Sequence, residues 1–234
     1  MVNASSGMTD GRVAIVTGGS RGTGLATVRL LASLGYAVVV GYDHDQRAAE
    51  STVDALLADN SIAVAVRADV ADDLDVDRLF AEAIAAFGPV DAVVHTGPAT
   101  PTPVADTSLD AFDALWMTST RATFIVNRAA ARVVRSGGAI VNLSGSVAAS
   151  ELPAYGAYAT NAAAVRALVR VLAVELRERD VTVNSVSYDL HRPSPPARIA
   201  AVVAYLLSPE GHAISGHMID LDSHPRVDGP NPLG

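Results

Sequence analysis

Short apolar runs alternate along this chain with longer stretches in which apolar residues recur at helical spacing. The runs predict strands at Val13–Thr17, Ala37–Val40, Ile62–Val66, Ala92–Val94, Ala139–Leu143, Val181–Val186 and Met218–Leu221. Between them, helices are expected over Thr23–Leu34, Gln46–Asp59, Asp73–Phe87, Ser108–Arg135, Ala157–Arg179 and Pro196–Leu207. Strand runs without polar alternation are what a parallel sheet covered on both faces requires. Regular alternation of strand and helix implies right-handed crossovers between parallel neighbours. The pattern therefore predicts a three-layer α/β fold, a doubly wound sheet of about seven parallel strands with helices on both faces. No repeat recurs and no shift in composition marks a second unit, so residues 1–222 are expected to form one domain. Linker-like stretches are Pro98–Pro103, His191–Pro196 and a Pro/Gly-rich tail, residues 223–234.

Composition narrows the possible partners. A chain of 234 residues suits one large α/β domain and can bury a sizeable core. Half of it is hydrophobic and only 5% aromatic, a mix fitted to close helix packing on a Val-rich sheet. The formal net charge of −8 and pI of about 5.1 argue against a broad nucleic-acid-binding face. Arg128, Arg132 and Arg135 form one modest basic group, read as a solvated helix face. With no cysteine there is no disulfide, thiolate metal site or thiol nucleophile. The six histidines lack metal-ligand spacing, so no metal is expected. Arg166, Arg170 and Glu175 interrupt the most apolar helix, so no membrane span is expected. Met1–Asp10 has neither a basic start nor an apolar centre, so a cytoplasmic protein is the default.

The chemistry begins where the first strand ends. Val13–Thr17 runs into Gly18-Gly-Ser20-Arg21-Gly22-Thr23-Gly24, where a helix is expected to start. Gly18 permits the tight turn, Gly22 lets backbone approach a pyrophosphate, and Gly24 allows close helix packing. The N–H groups and positive dipole end of the helix then face the phosphates. A glycine trio alone is weak evidence; at the first strand-to-helix junction of a βαβ pattern it is strong.

The spacing of Thr17, Gly18, Gly22 and Gly24 resembles that of the short-chain dehydrogenase/reductase family, in particular its 3-oxoacyl-(acyl-carrier-protein) reductase-like members. The resemblance covers nearly the whole chain. Asp69-Val70 resembles the family's adenine contact and Asn142-Leu-Ser144 its fifth-strand end. Tyr158 opens the helix that normally carries Tyr-xxx-Lys, and Val183-Asn184-Ser-Val186 is similar to the sixth strand. Ile214-Ser-Gly216 leads into a similar last strand. The resemblance implies a Rossmann fold and a dinucleotide held by Gly18, Ser20, Arg21, Gly22, Thr23, Gly24, Tyr42, Asp69, Val70, Thr96 and Gly97. Arg21 resembles the residue that reads the 2′-phosphate in NADP-preferring members. Tyr42 stands where NAD-preferring members have an acid. Asp43 and Asp45 follow and would repel that phosphate, while His44 between them would help only when protonated. NADP is favoured over NAD.

The family's proton-transfer groups do not carry over intact. Tyr158 holds the tyrosine position, but Ala162 stands where the lysine belongs and Asn161 precedes it. The serine position falls on Gly145, flanked by Ser144 and Ser146, so Ser146 serves only if the turn shifts by one residue. Ser119 replaces the asparagine, and His95-Thr96-Gly97-Pro98 replaces Asn-Asn-Ala-Gly. Tyr188-Asp189 replaces Pro-Gly. An ordinary phenol, with a pKa of about 10, is ionised in roughly one molecule in a thousand at pH 7. Only residues 189–196 are left to form the substrate lid. His95 is expected to satisfy a backbone group at the sheet edge. Tyr158 is either a half-buried tyrosine with a solvent-facing hydroxyl or a retained proton donor.

Three readings follow. One is a non-catalytic or weakly active subunit, forming a homo-oligomer, or a hetero-oligomer with an active homologue, through helices 108–135 and 157–179. The second is an NADP-dependent carbonyl/alcohol oxidoreductase using Tyr158 with Ser146. The third is a sensor of dinucleotide occupancy. The isolated chain is expected to bind dinucleotide weakly or not at all and to lack appreciable reductase activity.

Overall fold

The computed structural model describes residues 11–97, 103–145, 155–188 and 194–221. Strands β1 (Val13–Thr17), β2 (Ala37–Tyr42), β3 (Ala63–Arg67), β4 (Ala92–Thr96), β5 (Ala139–Gly145), β6 (Thr182–Tyr188) and β7 (Met218–Leu221) make one sheet, ordered β3-β2-β1-β4-β5-β6-β7. Every neighbouring pair is parallel. The helices are α1 (Gly22–Ser33), α2 (Gln46–Ala58), α3 (Asp73–Phe87), α4 (Leu109–Trp116), α5 (Ala122–Val133), α6 (Gly156–Glu175) and α7 (Pro196–Leu206).

Successive strand residues point to opposite faces, and both faces are apolar here. Val13, Ile15, Val39, Val93, Ile140 and Val183 pack beneath α3, α5 and α6. Ala14, Val16, Val38, Val40, Val94, Val141 and Val186 pack against α1, α2 and α7. Two cores sharing one sheet are what the unbroken apolar runs required. Helix starts are set by short acceptors. Asp45 accepts from Ala48 N at 3.0 Å, Asp72 from Leu74 N at 2.9 Å, and Ser108 from Ala111 N at 3.2 Å. The Arg179 guanidinium donates to the Ala131 and Val134 carbonyls, satisfying the end of α5. Arg128 and Arg135 are not merely solvated: they pair with Asp73 and Asp91.

Two expectations are refined. The helix expected over Ser108–Arg135 runs from Leu109 to Val133 but widens into a π turn at Met117–Arg121, between α4 and α5. Polar residues mark that turn. Thr118 Oγ1 donates to Ala114 O at 2.9 Å, and Thr120 Oγ1 donates to Asn161 Oδ1. The turn also swings Ser119 into the interior. Secondly, α6 is long and apolar enough to span a bilayer by length and composition, despite its charges. In the fold it packs on the sheet through Val165, Val169 and Leu172.

Strand order reverses between β1 and β4. In such a sheet the ligand crevice opens at the carboxyl ends of the strands, at that switch point.

Candidate nucleotide cleft and active site

A cavity of about 460 Å³ occupies the switch point. It is lined by Gly18, Ser20, Arg21, Thr23, Gly24, Tyr42, Asp69, Val70, Thr96 and Gly97, so the sequence candidates converge on one cleft. Gly22 does not line it, yet lies between two residues that do. Gly18 and Gly22 hold φ of 63° and 54°, in the left-handed region that glycine enters freely. A Cβ on Gly18 would collide with Thr96 Oγ1, and one on Gly24 with the Gly18 carbonyl. A Cβ on Gly22 would meet nothing within 4 Å. The loop is thus closed against the sheet at Gly18 and Gly24 and open at Gly22. No side chain caps α1 and its first turn carries no acid, which leaves a positive helix end for an anion. An uncapped helix end beside a loop left open at Gly22 has the chemistry a phosphate group needs.

At the rim, the two acids after β2 are already engaged. Asp45 caps α2. Asp43 lies 3.0 Å from His44 Nε2, while Arg67 Nε donates to the Asp43 carbonyl at 3.0 Å and its Nη2 stands 3.8 Å from the carboxylate. Asp69 Oδ1 accepts from Ala71 N at 2.8 Å, fixing the turn after β3.

His95 departs from expectation. It lies in the middle of the sheet, fully buried, with Nδ1 2.8 Å from Thr17 Oγ1. Desolvation pushes its pKa down to about 4, so it is neutral. Its Nε2 has no partner among the described residues. Beside it, Thr96 Oγ1 donates to Thr17 O at 2.9 Å and Thr96 N to Thr17 Oγ1 at 3.2 Å, stitching β4 to β1 at the floor of the cleft.

Tyr188, the last residue of β6, was not among the sequence candidates for cofactor contact. It lines the same cleft as Thr23, which stands in the first turn of α1. Burial raises its pKa, and the nearby Thr23 side chain offsets part of the rise.

Tyr158 is only 3% exposed, so its hydroxyl does not face solvent. Its ring meets Tyr155 edge to face at 6.3 Å. With Gly97, Ser119, Thr123, Asn142, Ser144 and Ala162 it lines a second cavity of about 10 Å³. The positions matching the family's tyrosine, lysine and asparagine are therefore brought together, carrying a phenol, a methyl and a hydroxyl. Ser144 Oγ stands 3.5 Å from Ser185 Oγ. Ser146 lies outside the described residues. All 17 basic residues are arginines; the chain contains no lysine.

The sequence profile of the short chain dehydrogenase family matches residues 12–190. The chain belongs to that family. Among its relatives, a short chain dehydrogenase of Passalora fulva is 33% identical, covering 94% of this chain and 96% of that one. A versicolorin reductase of Emericella nidulans is 31% identical over 91% of this chain and 95% of its own. A short chain dehydrogenase of Burkholderia cenocepacia, solved in complex with NADP, superposes with a TM-score of 0.85 at 30% identity, covering 92% of this dehydrogenase homologue and 98% of that chain. The Passalora alignment runs over 257 positions, more than the 234 residues present here, so it crosses gaps in this chain. Only seven residues separate the end of β6 at Tyr188 from Pro196 at the start of α7.

Proposed function

We propose that this short-chain dehydrogenase homologue is a nucleotide-binding, non-catalytic or weakly active subunit, taking NADP in preference to NAD in the β1–β4 cleft. The observation that carries it is Ala162, a buried methyl one helical turn beyond Tyr158, in a chain with no lysine to reach in from elsewhere. Positioned general acid/base groups contribute about 10²–10⁴-fold, and groups that act as a unit fail together. NADP is supported by Arg21, which lines the cleft, and by Arg67, which offsets the charge of Asp43 on the same lining, while Asp45 there caps α2. It is also in keeping with the NADP-bound relative from Burkholderia.

Titrating the pure protein with NADPH, then assaying NADPH consumption with simple ketones and diketones, tests this reading. Saturable binding without consumption is expected. Robust turnover abolished by Tyr158→Phe would replace it with the second reading, a working carbonyl reductase. That reading has one observation in its favour, the shared cavity of Tyr158, Ser119 and Ser144.

A further inference from the structure

We infer that His44 makes the choice between NADP and NAD depend on pH: its imidazolium, formed on acidification, draws the 2′-phosphate of NADP, while the neutral ring leaves Asp43 to the 2′-hydroxyl of NAD. This rests on the nucleotide-binding reading above and specifies how that site is regulated.

The residues involved follow β2, where Tyr42, Asp43, His44 and Asp45 succeed one another along the lining of the cleft. Asp43 is the centre of the device. Its carboxylate has one permanent cation beside it, Arg67 Nη2 at 3.8 Å, and one conditional cation, His44 Nε2 at 3.0 Å. Arg67 also donates from Nε to the Asp43 carbonyl at 3.0 Å, which ties this loop to β3. The remaining charges around it come from three elements. Arg21 lines the cleft from the glycine loop, Asp45 caps α2, and Arg47 stands in the first turn of that helix. Asp69 lines the cleft from the turn after β3, where its Oδ1 accepts from Ala71 N at 2.8 Å. His44 is the one imidazole among the described residues of this lining, and histidine is the side chain whose charge ordinarily changes between pH 5 and 8.

A proton on His44 acts on the two ligands in opposite senses. A phosphate monoester carries about −1.5 to −2 charges at pH 7, so a new cation on the lining attracts it. A 2′-hydroxyl carries no charge and gains only an acceptor, and an imidazolium competes with it for the Asp43 carboxylate. The His44 side chain is 87% exposed and that of Asp43 34%. An ion pair so open to water adds little to stability, so the imidazolium can exchange the carboxylate for a bound phosphate at small cost.

Calorimetric titration with oxidised NADP and NAD at pH 8 and pH 6 tests the switch, with His44→Gln alongside the wild type. The 2′-phosphate itself titrates near pH 6, so the decisive quantity is the NADP-to-NAD affinity ratio of the wild type divided by that of the variant. This quotient is expected to rise about three- to tenfold from the higher pH to the lower. Linkage is reciprocal, so NADP should raise the pH at which the His44 ring signals titrate in NMR spectra of the wild type, and NAD should not. A quotient that does not change with pH overturns the switch and leaves the nucleotide-binding reading intact, as does a titration midpoint that NADP fails to raise. No binding of either dinucleotide to the wild type at either pH overturns both. The NMR comparison stands without any variant folding.

Discussion

Gly22 and Gly24 sit two residues apart in one loop and serve different ends. At Gly22 the backbone is left-handed and the space a Cβ would occupy is empty; at Gly24 that space holds the Gly18 carbonyl. Gly22→Ala is expected to fold with a loss of about 1–2 kcal/mol, the usual cost of a left-handed L-residue, and to lose most of its affinity for nucleotide. Gly24→Ala is expected to lose more stability than that, because backbone has to shift. Thermal melting beside NADPH titration separates the two; equal stability losses would show that the loop does not divide in this way. His95 gives a second residue-scale expectation. Its imidazole, held at about 4 in the fold, returns to the ordinary 6.5 when the chain unfolds. The unfolded state thus takes up a proton that the folded state refuses. Stability is unaffected above pH 6.5, falls as the pH drops towards 4, and levels off below, a loss of about 3 kcal/mol in all. Carboxylates add their own slope, so the readout is the difference in denaturant midpoints between wild type and His95→Gln across that range. Parallel curves would mean the imidazole does not titrate on unfolding as argued.

At the scale of elements, the sequence was legible where apolar runs continue and illegible where they stop. β1, β7 and α3 match the expected bounds. β2, β4, β5 and β6 each extend two residues beyond the expected carboxyl end, taking in Gly41-Tyr42, His95-Thr96, Ser144-Gly145 and Ser187-Tyr188. Gly41, Tyr42, Thr96 and Tyr188 line the crevice, and all eight keep strand geometry where the apolar run has stopped. The site was readable through its glycine spacing, because backbone conformation writes itself into local sequence. The bond of His95 to Thr17 and the place of Tyr188 beside Thr23 in the cleft were not, because each joins residues that only the sheet order brings together. The π turn was hidden for a related reason. Met117–Arg121 keeps helical periodicity, and only the partner on α6 reveals why the turn is wide. Asn161 is fully buried, accepting from Thr120 and donating to Ala157 O at 2.9 Å. Thr120→Val removes its donor at nearly constant volume. A loss of about 1–3 kcal/mol is expected, read as a lowered urea midpoint with an unchanged slope. A neutral result would mean that the turn is set by Thr118 alone.

For the molecule as a whole, the question is what covers the outer side of α4, α5 and α6. These helices bury one face on the sheet, yet Leu109, Trp116, Phe124, Val171 and Val174 stand exposed on them, Leu109 at 80% and Val174 at 59%. Single exposed apolar residues are ordinary on a protein surface; several on packed neighbouring helices suggest an interface. A two-fold partner would meet the same surface with its own copy, and a stable pair is expected to bury at least about 1,000 Å². Light scattering of the pure chain should give at least a dimer mass. Phe124→Glu combined with Val171→Glu should reduce it to a monomer, because each would bury an unpaired carboxylate in the interface. A wild-type monomer at micromolar concentrations would exclude self-association. The exposed face would then leave a folded homologue as the partner to seek, with a co-purified pair restoring the larger mass. A subunit held in an assembly by α5 and α6 needs its packing faces more than its proton relay. The buried methyl of Ala162 lies on the inner side of one of those same helices, where losing the amine leaves the outer face unchanged.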